Sequence, residues 1–203
     1  KSMEIFNDFS YSSIKNKNIN IKQLFENLKV FTNFDNDNIK RYNEIIRIYT
    51  EESSFYTNFN YWLRNLDKAV YEKISFFVSS LIKSLNEYLK NSSNLLKKEK
   101  TFLYRGLKLS FPDLIYYEQN EGNIIVFPSF TSTSVDPSQI KKFCEVNDEL
   151  KNKGFYGVKM IFEYDCNTMF PNAIDINKVS EFDVEKEYLI LHFTFYQILS
   201  TKI

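Results

Sequence analysis

The hydrophobic period of the chain changes near residue 100, and this change constrains the fold more than any other feature. From residue 21 to about residue 90, apolar side chains recur every three or four positions, as they do on amphipathic helices. Beyond residue 100 the sequence consists of short β-rich runs that turn residues interrupt. A helical first half and a stranded second half predict an α+β architecture, with the helices packed on one side or end of the sheets.

Apolar stripes in the first half predict helices whose buried faces form a core. They cover residues 21–31, 39–49, 55–66 and 67–90, and Ser53 or Ser54 is placed to cap the third. Strand character in the second half appears at residues 101–107, 123–127, 129–134, 156–163, 186–191 and 193–199. Residues 137–146, after Asp136, read as a short helix.

The composition bounds the kind of partner that we expect. A chain of 203 residues fits a single domain, with a helical N-terminal part over 1–100 and a β-rich core over 101–203. Lys plus Arg and Asp plus Glu both total 26, so no net charge favours a nucleic acid or an anionic membrane. No run approaches the roughly 20 apolar residues of a membrane span. We therefore expect a soluble monomer that acts in a cytosol and binds neither nucleic acid nor membrane.

Two carboxylates, Glu185 and Glu187, lie where a polar loop gives way to an apolar strand. If residues 185–187 are extended, both side chains point to the same face, about 7 Å apart. Like charges at this separation repel unless their surroundings are wet, hold a cation or supply a hydrogen-bond donor. Taken alone, the pattern is that of a solvated strand end, with Lys186 between the two acids, and it carries almost no functional signal.

Two further motifs stand earlier in the chain. Arg105 interrupts an apolar strand, and Gly106 follows it, where the missing Cβ lets a ligand approach the backbone. A guanidinium suits phosphate, although a lone strand arginine more often pairs with a structural carboxylate. The hydroxyl run Ser132, Thr133 and Ser134 follows an aromatic residue, and such runs are usually an exposed strand face.

The three motifs, taken in order, resemble the arginine-serine-glutamate class of mono-ADP-ribosyltransferases, which use NAD. LYRG at residues 103–106 carries the first motif, FTSTS at 130–134 the second and EKE at 185–187 the third. The resemblance covers residues 101–198 and is only architectural over 21–90. It implies an ADP-ribosyltransferase-like fold, in which an N-terminal helical segment packs on a two-sheet β-sandwich core with an NAD cleft.

The resemblance also implies roles on the donor side of the reaction. Glu187 would stabilise the oxocarbenium-like transition state that forms as nicotinamide leaves the ribose. Ser132 would hydrogen-bond Glu187, and Arg105 would bind a phosphate or the ribose side of NAD. The backbone of Gly106 would approach the nicotinamide amide. Thr133 counts among the cofactor-binding residues, although it and Ser134 would mainly brace the strand.

On the acceptor side, the resemblance implies that Glu185 orients a target guanidinium and takes its proton. Glutamate at this first position marks arginine modification in the family, so the expected partners are NAD and a protein with an accessible arginine, without a metal. Phe182 either contacts the target protein or anchors its loop. Phe143 either stacks near nicotinamide or occupies a core position on its helix, which is the commoner case.

One departure from the family and three alternatives stay open. No arginine follows Phe143, so Lys141 or Lys142 would have to hold the NAD phosphates. The single histidine, His192, lacks a nucleophile pattern around it and is expected to be structural. The alternatives are an NAD glycohydrolase that uses the same site, a catalytically inactive interaction module and, least favoured, a glycosidase.

Overall fold

A computed structural model describes residues 39–51, 54–65, 68–91, 100–165 and 172–202. Several predicted features therefore lie outside the described residues: the helix over 21–31, most of the polar connection before residue 100, Ser53, Leu66 and Cys166. None of the described helices combines the length and the apolar character that a bilayer span requires.

The helical half contains α1 (Ile39–Thr50), α2 (Ser54–Asn65) and α3 (Lys68–Asn91) within the described residues, as their apolar stripes predict. The stripes face one another, and the core that they form extends to the strands of the second half. Its buried members are Ile45, Ile46 and Tyr49 of α1, Phe59 and Leu63 of α2, Ile74, Phe77, Val78, Leu81, Leu85 and Tyr88 of α3, and Phe130, Ile174, Ile176 and Leu189 of the second half. The helices are thus packed on the sheet.

The second half contains two antiparallel sheets in the part of the chain that the structure describes. Its elements are β1 (Lys100–Ser110), α4 (Phe111–Gln119), β2 (Ile124–Phe127), β3 (Thr131–Ser134), α5 (Lys141–Cys144), α6 (Asp148–Asn152), β4 (Phe155–Asp165), β5 (Ala173–Asp175), β6 (Glu187–Ile190) and β7 (Thr194–Gln197). One sheet has the strand order β4-β1-β3-β6-β5, and the other pairs β2 with β7. Each of the six predicted strand segments overlaps an observed strand, and the α+β class is confirmed.

The two sheets pack face to face around a second core. Phe127 of β2 and Tyr196 of β7 contact Phe162 of β4, with ring centroids 5.9 and 5.0 Å apart. Leu103, Ala173 and Ile190 complete this cluster from the larger sheet. An aromatic layer therefore joins the sheets on one face, and the helices cover the other face at the strands β5 and β6.

Three elements were not predicted, and the helix after Asp136 is shorter than predicted. β5 has only three residues, too few for a period to appear. α4 does have a sequence signal, because Ser110 and Asp113 form a capping box and Pro112 occupies the first turn. Turn residues precede α5, which spans only Lys141–Cys144, and the five-residue α6 was not predicted either.

The order of the strands decides where the motifs lie. β3 is the neighbour of both β1 and β6, with Tyr104 opposite Ser134 and Ser134 opposite Glu187. Segments that lie about 30 and 50 residues apart in the chain are therefore side by side. The arginine, hydroxyl and glutamate motifs meet on three adjacent strands.

Candidate active site

A cleft of about 430 Å³ lies between α2, the strands β1, β3 and β6, and the segment around α5. A volume of this size is typical of a small-molecule site. The cleft brings together every site residue that the sequence predicts, namely Arg105, Gly106, Ser132, Thr133, Phe143, Phe182, Glu185 and Glu187.

Glu187, the first residue of β6, is a buried carboxylate that is only 5% exposed. Burial raises the pKa of its carboxyl group above the usual value, and the negative charge of Glu185 acts in the same direction. Hydrogen bonds from the hydroxyl groups of Ser132 and Ser180, and the charge of Arg105, oppose this increase in pKa. The Ser180 hydroxyl donates to Glu187 Oε2 at 2.6 Å. The Ser132 hydroxyl thus acts on the pKa of the Glu187 carboxyl, and the hydroxyl of a second serine, Ser180, binds this carboxyl directly.

Ser180 is a site residue that the sequence reasoning missed. Its loop is held against α1 through the next residue, because Glu181 N–H donates to Thr50 Oγ1 at 3.0 Å. Arg47 Nη1 also donates to Glu181 Oε2 at 2.8 Å. A serine seven positions before a strand glutamate has no spacing that predicts a contact. Only the tertiary path of the loop produces one.

Glu185 reaches the cleft by a different route from the one predicted. It ends a 3₁₀ turn, Asp183–Glu185, and Lys186 has a φ of 49°, so residues 185–187 are not extended. The prediction that both acids project from one strand face is wrong, because Glu185 belongs to the 3₁₀ turn and the strand begins only at Glu187. The carbonyl of Glu185 accepts from Ser134 Oγ at 2.6 Å. Its carboxylate accepts from Lys142 Nζ.

Arg105 and Gly106 lie at the wall of the cleft, on β1. Arg105 Nη1 donates to the backbone carbonyl of Ser132 at 2.8 Å, which places the guanidinium beside the hydroxyl motif. A Cβ on Gly106 would lie 2.4 Å from the carbonyl oxygen of Ile140 and 2.9 Å from Phe143 Cβ. The expectation that this glycine leaves room for a ligand is corrected: the segment of α5 fills that space.

The other two hydroxyl residues brace the sheet, as predicted. Thr133 Oγ1 donates to the carbonyl of Tyr188 at 2.8 Å, across the β3–β6 pair. Ser134 Oγ, besides holding the Glu185 carbonyl, accepts from Asp136 N–H at 3.0 Å. These contacts join the turn before β6 to the end of β3.

The two aromatic candidates both line the cleft. Phe143 is 37% exposed, so the interpretation that places it in the core is wrong. Because α5 has only four residues, it has no face that could be buried in a core, and the Phe143 ring lies at the mouth of the cleft. Phe182 is half-buried, in the loop that joins Ser180 to the 3₁₀ turn. His192 stacks on Phe130 with ring centroids 4.8 Å apart, which agrees with its predicted structural role.

α2 contributes a wall of the cleft that the sequence reasoning did not predict. Tyr56, Asn60 and Arg64 line the cleft from this helix. They recur every four residues, so they share one face, beside the apolar stripe that contains Phe59. This spacing was the available signal. Arg64 supplies a second basic residue in the cleft, which the segment after Phe143 lacks.

Comparisons with known proteins agree with this geometry. The sequence profile of the family described as NAD:arginine ADP-ribosyltransferase matches residues 12–202. The curated proteins contain no match to this chain. Among solved structures, the Vis toxin of Vibrio splendidus, an ADP-ribosyltransferase, is 23% identical with a TM-score of 0.54, over 92% of this chain and 82% of that one.

Two further solved structures share the fold. The eukaryotic mono-ADP-ribosyltransferase ART2.2 is 18% identical with a TM-score of 0.54, over 92% of this chain and 74% of that one. The ADP-ribosyltransferase toxin Plx2a of Paenibacillus larvae is 15% identical with a TM-score of 0.53, over 87% and 84%. The profile match covers nearly the whole sequence, and the three motifs meet in one cleft. The chain belongs to the NAD:arginine ADP-ribosyltransferase family and is an ADP-ribosyltransferase with NAD as its substrate.

Proposed function

We propose that the protein transfers ADP-ribose from NAD to the guanidinium group of an arginine side chain on a target protein, with release of nicotinamide. The observation that carries this proposal is the pairing of two different carboxylates in one cleft. Glu187 is buried, and the hydroxyl groups of two serines act on its carboxylate. Glu185, in contrast, lies at the end of a 3₁₀ turn and pairs with Lys142.

On the donor side, Glu187 acts on the ribose of NAD. The bond between the ribose C1′ and the nicotinamide nitrogen breaks, its electron pair leaves with nicotinamide, and positive charge develops on the sugar. A carboxylate in a site from which water is excluded stabilises that charge more than an exposed one would. Ser132 and Ser180 hold the carboxylate in one orientation, so little reorganisation is needed as the charge develops.

The walls of the cleft suit the rest of the NAD molecule. Arg105 and Arg64 offer guanidinium groups for the pyrophosphate, which carries two negative charges. Phe143 offers an exposed ring for stacking against the nicotinamide. Thr133 contributes by fixing β3 against β6.

On the acceptor side, Glu185 orients the guanidinium and takes a proton from it as its nitrogen attacks C1′. Phe182, half-buried in the preceding loop, contacts the target protein. Vis has been solved in complex with agmatine, a small compound that ends in a guanidinium group, which supports an arginine acceptor here. The toxin relatives also support a delivered toxin or effector that acts in the cytosol of another cell.

The test is incubation with labelled NAD and agmatine, in which nicotinamide release and labelled agmatine are measured separately. Glu187→Gln should abolish both products. Glu185→Gln should abolish labelled agmatine while nicotinamide release to water persists. Glu149→Gln, the same change at an exposed acid outside the cleft, should retain both activities.

Four outcomes contradict the proposal. Undiminished nicotinamide release by Glu187→Gln would remove the role of Glu187, and agmatine labelling by Glu185→Gln would remove that of Glu185. A wild-type protein that releases nicotinamide but labels neither agmatine nor any protein of a lysate would be an NAD glycohydrolase. A protein that does not bind NAD in calorimetry would be an inactive interaction module.

A further inference from the structure

Lys142 forms an ion pair with the carboxylate that the proposed function assigns to the acceptor. Its Nζ donates to Glu185 Oε1. The Lys142 side chain is 56% exposed, whereas that of Glu185 is only 16% exposed. The ammonium group therefore reaches from the surface to a carboxylate that is largely enclosed. It also lies 4.7 Å from the centroid of the Phe143 ring, at the mouth of the cleft.

The α5 end of this ion pair is fixed by packing. The carbonyl of Ile140 and the Cβ of Phe143 occupy the space beside Gly106 where another residue would have its Cβ. Cys144 Sγ donates to the carbonyl of Val158 on β4 at 3.1 Å. The short helix is therefore seated on β1 and β4, and Lys142 projects from a rigid base.

The Glu185 end is fixed as well. Its carbonyl accepts from Ser134 Oγ at 2.6 Å, and the next residue, Lys186, pairs with Asp136 at 3.0 Å. Ser134 and Asp136 belong to the end of β3 and the turn that follows. Because both partners stand on anchored backbone, the pair loses less side-chain entropy than two free surface chains would.

We propose that Lys142 is a resident cation at the acceptor position, and that an incoming acceptor has to displace it from Glu185. This inference rests on the proposed role of Glu185. Displacement favours a guanidinium group over an ammonium group. A guanidinium replaces the single contact of Lys142 by two parallel hydrogen bonds to the carboxylate, whereas a second ammonium gains nothing over the first. Lys142 thus lowers the affinity for all cationic acceptors and makes the site select arginine over lysine.

The test measures the binding of two probes by calorimetry: agmatine, which carries a guanidinium, and cadaverine, which carries only ammonium groups. In Lys142→Met, which keeps an unbranched stem but removes the charge, the Kd of agmatine should fall about two- to fivefold. The Kd of cadaverine should fall by a larger factor, so the ratio of the cadaverine Kd to the agmatine Kd should be smaller than in wild type. The matched control is Lys153→Met, at another exposed lysine that pairs with a glutamate but lies outside the cleft, and this variant should leave both Kd values unchanged.

Raising the salt concentration should reduce the difference between wild type and Lys142→Met, because the effect is electrostatic. An unchanged or higher agmatine Kd in Lys142→Met overturns the inference, as does absence of agmatine binding to either protein. An equal fall of the agmatine Kd in Lys153→Met also overturns it, since net charge alone would then explain the result.

The transfer assay on the same preparations separates this inference from the proposed function. If wild type fails to label agmatine but Lys142→Met binds it more tightly, the proposed function is wrong while the displacement of Lys142 stands. If wild type labels agmatine and the two Kd values agree, the role of Lys142 is wrong while the proposed function stands.

Discussion

Replacing Ser180 by alanine removes one of the two hydroxyl donors that oppose the effect of burial on Glu187. The hydroxyl lies 2.6 Å from Oε2 of a carboxylate that is 5% exposed, so water cannot easily take its place. A hydrogen bond to a charged acceptor contributes about 1.5–3 kcal/mol. The protonated acid also retains part of the bond, so the lower figure applies to the difference between the two protonation states.

This energy has a defined effect on the pH profile. One pH unit corresponds to about 1.4 kcal/mol, so the acid limb of kcat/KM for NAD should move up by about one pH unit in Ser180→Ala. The direction of this change follows from the causes that set the pKa of Glu187. Burial already raises the pKa of Glu187, the lost donor had lowered it, and only the ionised form stabilises the cation. At pH values above the limb, the variant should recover most of the wild-type rate.

The assay is nicotinamide release at subsaturating NAD, because kcat/KM reports the ionisation of the free enzyme. Ser180→Thr keeps the hydroxyl and should keep the wild-type limb. Ser75→Ala, which removes a hydroxyl from the exposed side of α3, controls for the substitution itself. A Ser180→Ala limb at the wild-type pH with a lowered plateau would refute the reasoning, since the serine would then only hold its loop.

Three further changes test the surroundings of the cleft. Gly106→Ala should lower the free energy of unfolding by about 1–3 kcal/mol in denaturant titration, because the new Cβ meets the Ile140 carbonyl; a wild-type midpoint would contradict this. Glu187→Gln should raise the melting temperature by a few degrees at neutral pH but not near pH 4. Burial raises the pKa of this acid, so its ionisation destabilises the folded state as the pH rises. A difference in melting temperature that does not depend on pH would refute that cause. Arg47→Met should lower the free energy of unfolding by at most about 1 kcal/mol but slow nicotinamide release several-fold, because Glu181 loses its ion pair with Arg47. An unchanged rate would show that the loop does not need this ion pair.

The part of the site that could be predicted is the part that regular strands carry. Arg105, Ser132 and Glu187 lie on neighbouring antiparallel strands that are not consecutive in the chain. Local patterns predict the strands, and the resemblance of the ordered motifs to a known family predicts that they meet. The geometry of Glu185 could not be predicted in this way. A non-glycine residue with positive φ, here Lys186, leaves little mark on a sequence, and a single such residue changes the face to which its neighbour points.

Contacts made by the loop of Ser180 and by the helix α2 were harder to predict, for two different reasons. Ser180 reaches Glu187 only because Glu181 is bound by Thr50 and Arg47 of α1, more than 100 residues away in the chain. No local pattern encodes such a contact. The face of α2 that contains Asn60 did have a pattern, but its polar residues resemble an ordinary solvent-facing side when the position of the cleft is not known.

The helical half is necessary for the chemistry as well as for stability. Phe130, next to the hydroxyl motif, is buried against Tyr49 and Phe59, with ring centroids 5.5 and 6.3 Å away. The same helices supply the anchors of the loop that presents Ser180. Without the contacts of α1, the loop that presents Ser180 would lose its anchors, and Glu187 would lose one donor. Because a carboxylate acts on the developing cation most strongly when water is excluded and its donors are fixed, the two halves form one catalytic unit.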